Sequence, residues 1–281
     1  MLFRSPEELD SVFTSYPITH VVHTAAITAS GQAERAQFQR LFEVNALGTV
    51  QVFEAAKRHN VHRVVHLSSG ALFGPESFES QTEEDLYECA RIAESHTPIP
   101  QSLYAITKYA AERAALRYRA AYDLDVVVLR VGVAFGRWEY PTGVRDTLSV
   151  PYTLYELAKR GEKAWIGPGL PTDWVYATDV ATATVLLLEA KSCQHRIYQV
   201  STGTNWCVRE WAQLLEGAFP SFEWVIQPAV TAQTNVGRLA PTPRPPFSID
   251  ALQSEFGFHP QFEVQSAFED YLAWRQTQPL W

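Results

Sequence analysis

The sequence predicts an α/β protein built around a parallel sheet, and three observations carry that prediction. His20–Ala26 is an apolar run, Phe38–His59 is amphipathic at helical spacing, and Arg63–Ser69 is a second apolar run. Strand, helix and strand in this order describe a crossover unit whose two strands lie parallel. Asp125–Val131 is a further strand of the fully buried kind, and Ser102–Glu112, free of Gly and Pro, supplies a helix before it.

In chain order, Pro6–Tyr16 reads as a short helix, with Ser5 as N-cap and Glu8 as its capping-box partner. The strand His20–Ala26 runs into Ala25 and Ala26, whose small side chains let a ligand approach the backbone; tight packing explains them equally well. His23 reads as a satisfied core imidazole, because no Cys, His or carboxylate stands at metal-ligand spacing from it, and no metal site is expected. Within Phe38–His59, Asn45 places a polar group on the apolar face and Gly48 weakens the helix. Such an interruption marks a kink or a side chain turned toward a site. Arg63–Ser69 ends at the turn Gly70–Pro75, and ligands of parallel sheets gather at such carboxyl ends. The acidic segment between Pro75 and Pro100 reads as a solvated, helix-containing loop.

Beyond Val131, a loop covers Arg137–Gly143 and a helix Leu148–Arg160. Gly167–Gly169 is a turn and not a phosphate loop, since no G-x-G-x-x-G pattern is present. Asp173–Thr178 is a strand, and Thr178 or Asp179 caps the helix that runs to Leu188. Arg196–Ser201 is another strand, Val208–Ala218 a helix and Phe222–Gln227 an edge strand. Two last helices lie near Ser248–Phe256 and Val264–Thr277, and Trp211, Trp224 and Trp274 read as core.

Composition excludes several classes. The chain has 281 residues, 46% of them apolar, enough for a substantial core and about two domains by length. Its net charge is -8 and no Lys/Arg cluster forms a nucleic-acid footprint, so no nucleic-acid partner is expected. Cys89, Cys193 and Cys207 are far apart and fit idle thiols in a reducing, cytoplasmic setting. No apolar run approaches a membrane span, and the first residues carry no secretory segment. All eight tryptophans lie at or beyond Trp138.

The chemistry centres on one helix. Tyr104 and Lys108 stand one turn apart on the same face. A phenol titrates near pH 10 and is a poor base at neutral pH, but a neighbouring ammonium lowers that value and makes it a usable acid/base. Alone, the pair is also what an ordinary surface helix shows. Ser68-Ser69, at the end of an apolar strand, offers a hydroxyl to the same place and raises the pair above that background.

Several segments resemble the NAD-dependent epimerase/dehydratase family, the extended short-chain dehydrogenase/reductases. The resemblance rests on His23-Thr24-Ala25-Ala26, Asn45-Ala46-Leu47-Gly48-Thr49, Ser68-Ser69-Gly70-Ala71-Leu72-Phe73-Gly74, Tyr104 with Lys108, Leu129-Arg130 through Phe135-Gly136, and Asp173 through Ala181. It implies that Tyr104 is the general acid/base, that Lys108 binds the nicotinamide ribose and lowers the Tyr104 pKa, and that Ser69 hydrogen-bonds the substrate oxygen. It also implies that Ala25, Ala26, Asn45, Ser68 and Gly132 neighbour a bound NAD or NADP.

Two features depart from the family pattern. Its glycine-rich turn and first strands are absent: no glycine occurs before Gly31. Nucleotide-sugar epimerases usually carry Asn where this chain has Val133, which points to a smaller hydroxy or oxo compound such as a sugar acid or lactone. The expected architecture is therefore a Rossmann-like parallel sheet with helices on both faces, lacking its first βαβ portion, over residues 1–136 and 173–201. Residues 137–172 and 202–281 form a small C-terminal substrate-binding region. The expected function is an NAD(P)-dependent oxidoreductase or epimerase acting on a small-molecule substrate, with a homodimer left open. The other reading is a truncated, non-catalytic or partner-binding protein that has lost cofactor binding.

Overall fold

The computed structural model describes residues 5–29, 31–77, 91–143, 145, 147–168, 171–237 and 245–277. The middle of the acidic segment, together with Cys89, Gly169, Arg238 and Arg244, lies outside them. Helix α1 (Pro6–Ser15) has the predicted N-cap: the Ser5 hydroxyl accepts the Glu8 amide at 3.2 Å, but the Glu8 side chain does not complete a capping box, and Pro6 sits in the first turn, where no amide partner is needed. Strand β1 (His20–His23) stops three residues short of Ala26. The expected single helix over Phe38–His59 is broken into α3 (Phe38–Leu41), a π-helical turn (Phe42–Leu47) and α4 (Gly48–Arg58), preceded by α2 (Gly31–Ala36). Asn45 lies in that wider turn and is 1% exposed, so the interruption does turn a polar side chain inward.

Strand β2 (Arg63–Ser69) has the predicted bounds, and helix α5 (Leu103–Tyr122) and strand β3 (Val126–Val131) follow it. Next come β4 (Val133–Phe135), α6 (Val150–Arg160), β5 (Ala164–Ile166), β6 (Trp174–Tyr176) and α7 (Ala177–Glu189). The chain continues through β7 (Ile197–Val200), α8 (Val208–Ala218), β8 (Trp224–Ile226), α9 (Asp250–Phe256) and α10 (Val264–Thr277).

Among the described residues, four strands form a parallel sheet in the order β1-β2-β3-β7. Successive residues of a strand face opposite sides. On one side Val64, Val126 and Val128 pack with Leu9 of α1, Phe53 of α4 and Ala115 of α5. On the other, Val65, Val127 and Leu129 pack with Leu187 of α7 and Leu252 of α9. Helices thus cover both faces, as expected.

A second, aromatic core gathers Phe135, Tyr155, Trp174, Tyr176, Trp206, Trp211, Tyr271 and Trp274. Strand β6 pairs with β4 and not with the main sheet, so Trp174 and Tyr176 are delivered to this second core. The edge strand expected at Phe222–Gln227 is β8, which pairs with β5. Trp224 is half-buried at the core's margin, its indole donating to Glu216 at 3.0 Å, whereas Trp211 and Trp274 are buried. Neither Thr178 nor Asp179 caps α7: the N-cap is Tyr176, without a side-chain bond. Asp179 instead accepts the amides of Gln261 and Phe262 at 2.9 and 3.2 Å, which fastens α7 to the chain after α9. Among the described residues no helix is long and apolar enough to cross a membrane.

Candidate active site

Helix α5 is fixed at its start and along one face. The Ser102 hydroxyl accepts the Ala105 amide at 3.1 Å, and the Glu34 carboxylate accepts the Leu103 amide, so a negative charge sits at the positive end of the helix dipole. Tyr104, Lys108 and Glu112 follow at one-turn spacing, with Lys108 and Glu112 buried. Ser69 closes β2, accepting the Ala71 amide at 3.1 Å. Helix α5 lies against β2, so Ser69 and Tyr104 stand on neighbouring elements at the carboxyl end of the sheet.

Lys108 donates from Nζ to the Leu67 carbonyl of β2 at 2.5 Å. Burial pushes its pKa down to about 8, against the raising influence of the Glu112 carboxylate. Tyr104 is pushed above the ordinary phenol value by burial, which outweighs the lowering by the Ser69 hydroxyl and by the Arg145 charge.

Asn45 makes three bonds across the site. Its Oδ1 accepts the Ile27 amide at 2.9 Å, and its Nδ2 donates to the Ile27 carbonyl at 2.9 Å and to Thr107 Oγ1 at 3.1 Å. Thr107 Oγ1 in turn donates to the Tyr104 carbonyl at 2.8 Å. The loop holding Ala25 and Ala26, both half-buried, is thereby clamped to α5. This clamp also explains the short β1, since Ile27 gives its backbone groups to a side chain and not to the sheet.

Two expected cofactor neighbours are otherwise engaged. Ser68 donates to Glu112 at 2.9 Å, on the side of β2 away from Leu67 and Ser69. At Gly132 an added Cβ would meet the Asp173 carbonyl at 3.0 Å and the Ser201 Cβ at 3.2 Å, so close packing requires the glycine. Val133 packs against the second core. A cavity of about 420 Å³ between the loop at Glu139–Pro141, α6 and Arg275 is lined by none of Ser69, Tyr104 and Lys108.

The sequence reading missed Glu112 and Arg130, which form a buried bidentate pair at 3.1 and 2.7 Å directly behind Lys108. The signal for Glu112 was its place one further turn along the Tyr104 face. It also missed Arg145, whose approach to Tyr104 nothing local announces. His23 is the satisfied core imidazole expected, bonded to Thr49 Oγ1 at 2.9 Å. His66, fully buried beside it, has a hydrogen-bond partner on neither ring nitrogen among the described residues.

Comparison with known proteins follows this geometry. The chain is 25% identical over 288 residues to UDP-glucuronate 4-epimerase 2 of Arabidopsis thaliana, covering 95% of this chain and 60% of that protein. It is 24% identical over 278 residues to a dTDP-glucose 4,6-dehydratase of Streptomyces antibioticus, covering 98% and 72%. Among solved structures, UDP-glucose 4-epimerase of Thermus thermophilus in complex with NAD superposes with a TM-score of 0.77 at 26% identity, over 97% of this chain and 83% of that one. The chain spans only about three fifths of the length of some relatives, 60% for the Arabidopsis protein. The family model that matches does so over residues 3–201, a stretch containing Asn45, Ser69, Tyr104 and Lys108, and by that match the chain belongs to the NAD dependent epimerase/dehydratase family.

Proposed function

We propose that the protein oxidises and reduces a hydroxyl- or carbonyl-bearing carbon of a sugar-like substrate in an NAD-dependent epimerase or dehydratase reaction. The observation that carries this reading is that Ser69 closes β2 where helix α5 lies against that strand, the buried Lys108 donating to the Leu67 carbonyl and Tyr104 standing one turn before it. The donor set fits the nicotinamide-ribose end of a dinucleotide: a phenol, a buried ammonium whose proton is only moderately held, and Ala25 and Ala26 with no side chain beyond Cβ. What NAD supplies when bound is the acceptance and return of hydride.

Tyr104 takes the proton from the substrate hydroxyl and returns it, and the Ser69 hydroxyl holds the substrate oxygen beside the phenol. Lys108 would hold the nicotinamide ribose, and its charge near the phenol would lower the Tyr104 pKa. Asn45 keeps the Ile27 backbone and α5 in register throughout. The names of the relatives support a sugar substrate, while Val133, packed into the second core, offers no amide for one.

Tyr104→Phe is expected to lower turnover by about a hundredfold to ten-thousandfold, the usual contribution of a positioned acid/base. NAD affinity, measured by calorimetry, is expected to stay near that of the unaltered protein. Near-normal turnover in that variant would remove Tyr104 from the chemistry.

A further inference from the structure

We propose that Arg145 determines substrate specificity, binding a carboxylate on the substrate beside the carbon on which Tyr104 acts. This rests on the reading of Tyr104 as the acid/base.

Arg145 forms a parallel backbone bridge with Thr28. Thr28 follows Ile27, the residue that Asn45 ties to Thr107 in the turn after Tyr104. The Arg145 side chain is then aimed by its own supports. Its Nε donates to the Thr147 carbonyl at 2.8 Å, and its Nη1 lies 3.0 Å from Glu139 Oε1. The Glu139 side chain is 8% exposed and is itself held by the Ser149 amide at 2.7 Å and the Ser149 hydroxyl at 2.5 Å. Ser149 is the N-cap of α6, so the carboxylate that orients Arg145 is anchored to a helix end.

What remains is a guanidinium with its stem fixed and its Nη2 without a partner among the described residues, the side chain 38% exposed. Its charge reaches the Tyr104 phenol. A planar guanidinium with free N–H groups matches a planar carboxylate, and an arginine already oriented loses little freedom in binding one. Glu139, at 3.0 Å, offsets part of the positive charge and repels a dianion, which favours a singly charged carboxylate over a phosphate.

The test compares acid and alcohol pairs by calorimetry on the protein with NAD present: UDP-glucuronate against UDP-glucose, and D-glucuronate against D-glucose. In at least one pair the acid is expected to bind about 10- to 100-fold more tightly, the range for a charge-assisted hydrogen bond. Arg145→Met should bring that ratio near one, and Arg145→Lys should restore part of it. Which pair shows the preference identifies a nucleotide-linked or a free uronate. Equal binding of acid and alcohol in both pairs, or an unchanged ratio in Arg145→Met, overturns the assignment. Because binding is read without turnover, these outcomes are separate from the fate of Tyr104→Phe.

Discussion

Where β1 and β2 meet the helices, His23 and His66 stack with ring centres 5.5 Å apart and planes at 24°. Both are kept neutral, first by burial and then by the Lys108 charge: His23 falls to about 4 and His66 well below its ordinary value of 6.5. In the unfolded chain both regain ordinary behaviour and bind protons below that value. Stability is therefore fully present above the unfolded value and is lost as pH falls from 6.5 toward 4. His23 loses about 1.4 kcal/mol per pH unit within the window, roughly 2 kcal/mol by about pH 5, and His66 acts in the same direction. Urea unfolding at neutral pH and near pH 5 measures this. His66→Leu, which removes an unbonded buried imidazole, should lower the slope while leaving neutral-pH stability unchanged or raised. At this scale Ser69, Tyr104 and Lys108 are legible in the sequence, because helical spacing alone puts Tyr104 and Lys108 on one face. Arg145 is not legible, since a loop crossing from β4 makes its approach.

Helix α5 is joined to the sheet by an ion pair with almost no solvent access, Glu112 being 1% and Arg130 2% exposed. Arg130 also donates to the Glu94 carbonyl at 3.1 Å, and Ser68 adds its hydroxyl to Glu112. Glu112→Ala leaves a buried guanidinium uncompensated and is expected to cost about 3–5 kcal/mol, whereas Glu112→Leu with Arg130→Met should recover most of that loss. Ser68→Ala leaves the ion pair whole and should cost only about 0.5–1.5 kcal/mol. Chemical denaturation of the three variants orders them, and a Glu112→Ala cost no larger than that of Ser68→Ala would deny the pair its structural role. Elements with strong local patterns, such as β2 and α10, have the bounds their sequence predicts. Those that deviate do so for tertiary reasons. The helix over Phe38–His59 opens into a π turn around Asn45, whose partners are the distant Ile27 and Thr107.

Across the whole molecule, the main sheet ends on one side at β1. Among the described residues β1 pairs only with β2, and Val22 is 41% exposed. An apolar edge strand with an open row of amides and carbonyls is a template for another strand. The 281-residue chain is expected to self-associate through it, and Val22→Lys should shift sedimentation velocity profiles toward monomer. Profiles identical with and without the lysine would place any association elsewhere. The parallel sheet was predictable from alternating strand and helix patterns, but the transfer of β6 to a second sheet was not, because Trp174 and Tyr176 are as apolar as main-sheet residues. That transfer has a spectroscopic consequence. The buried indoles Trp174, Trp206, Trp211 and Trp274 all belong to the aromatic core, while the sheet's own core holds none. Intrinsic emission therefore watches one half of the molecule, and far-ultraviolet dichroism watches both. Since β3 runs into β4 almost without a break and Asp179 grips the chain beyond α9, the two signals should trace a single denaturation curve. An emission change that runs ahead of the dichroism would mean that the indoles lose their surroundings while the sheet beside Tyr104 still stands.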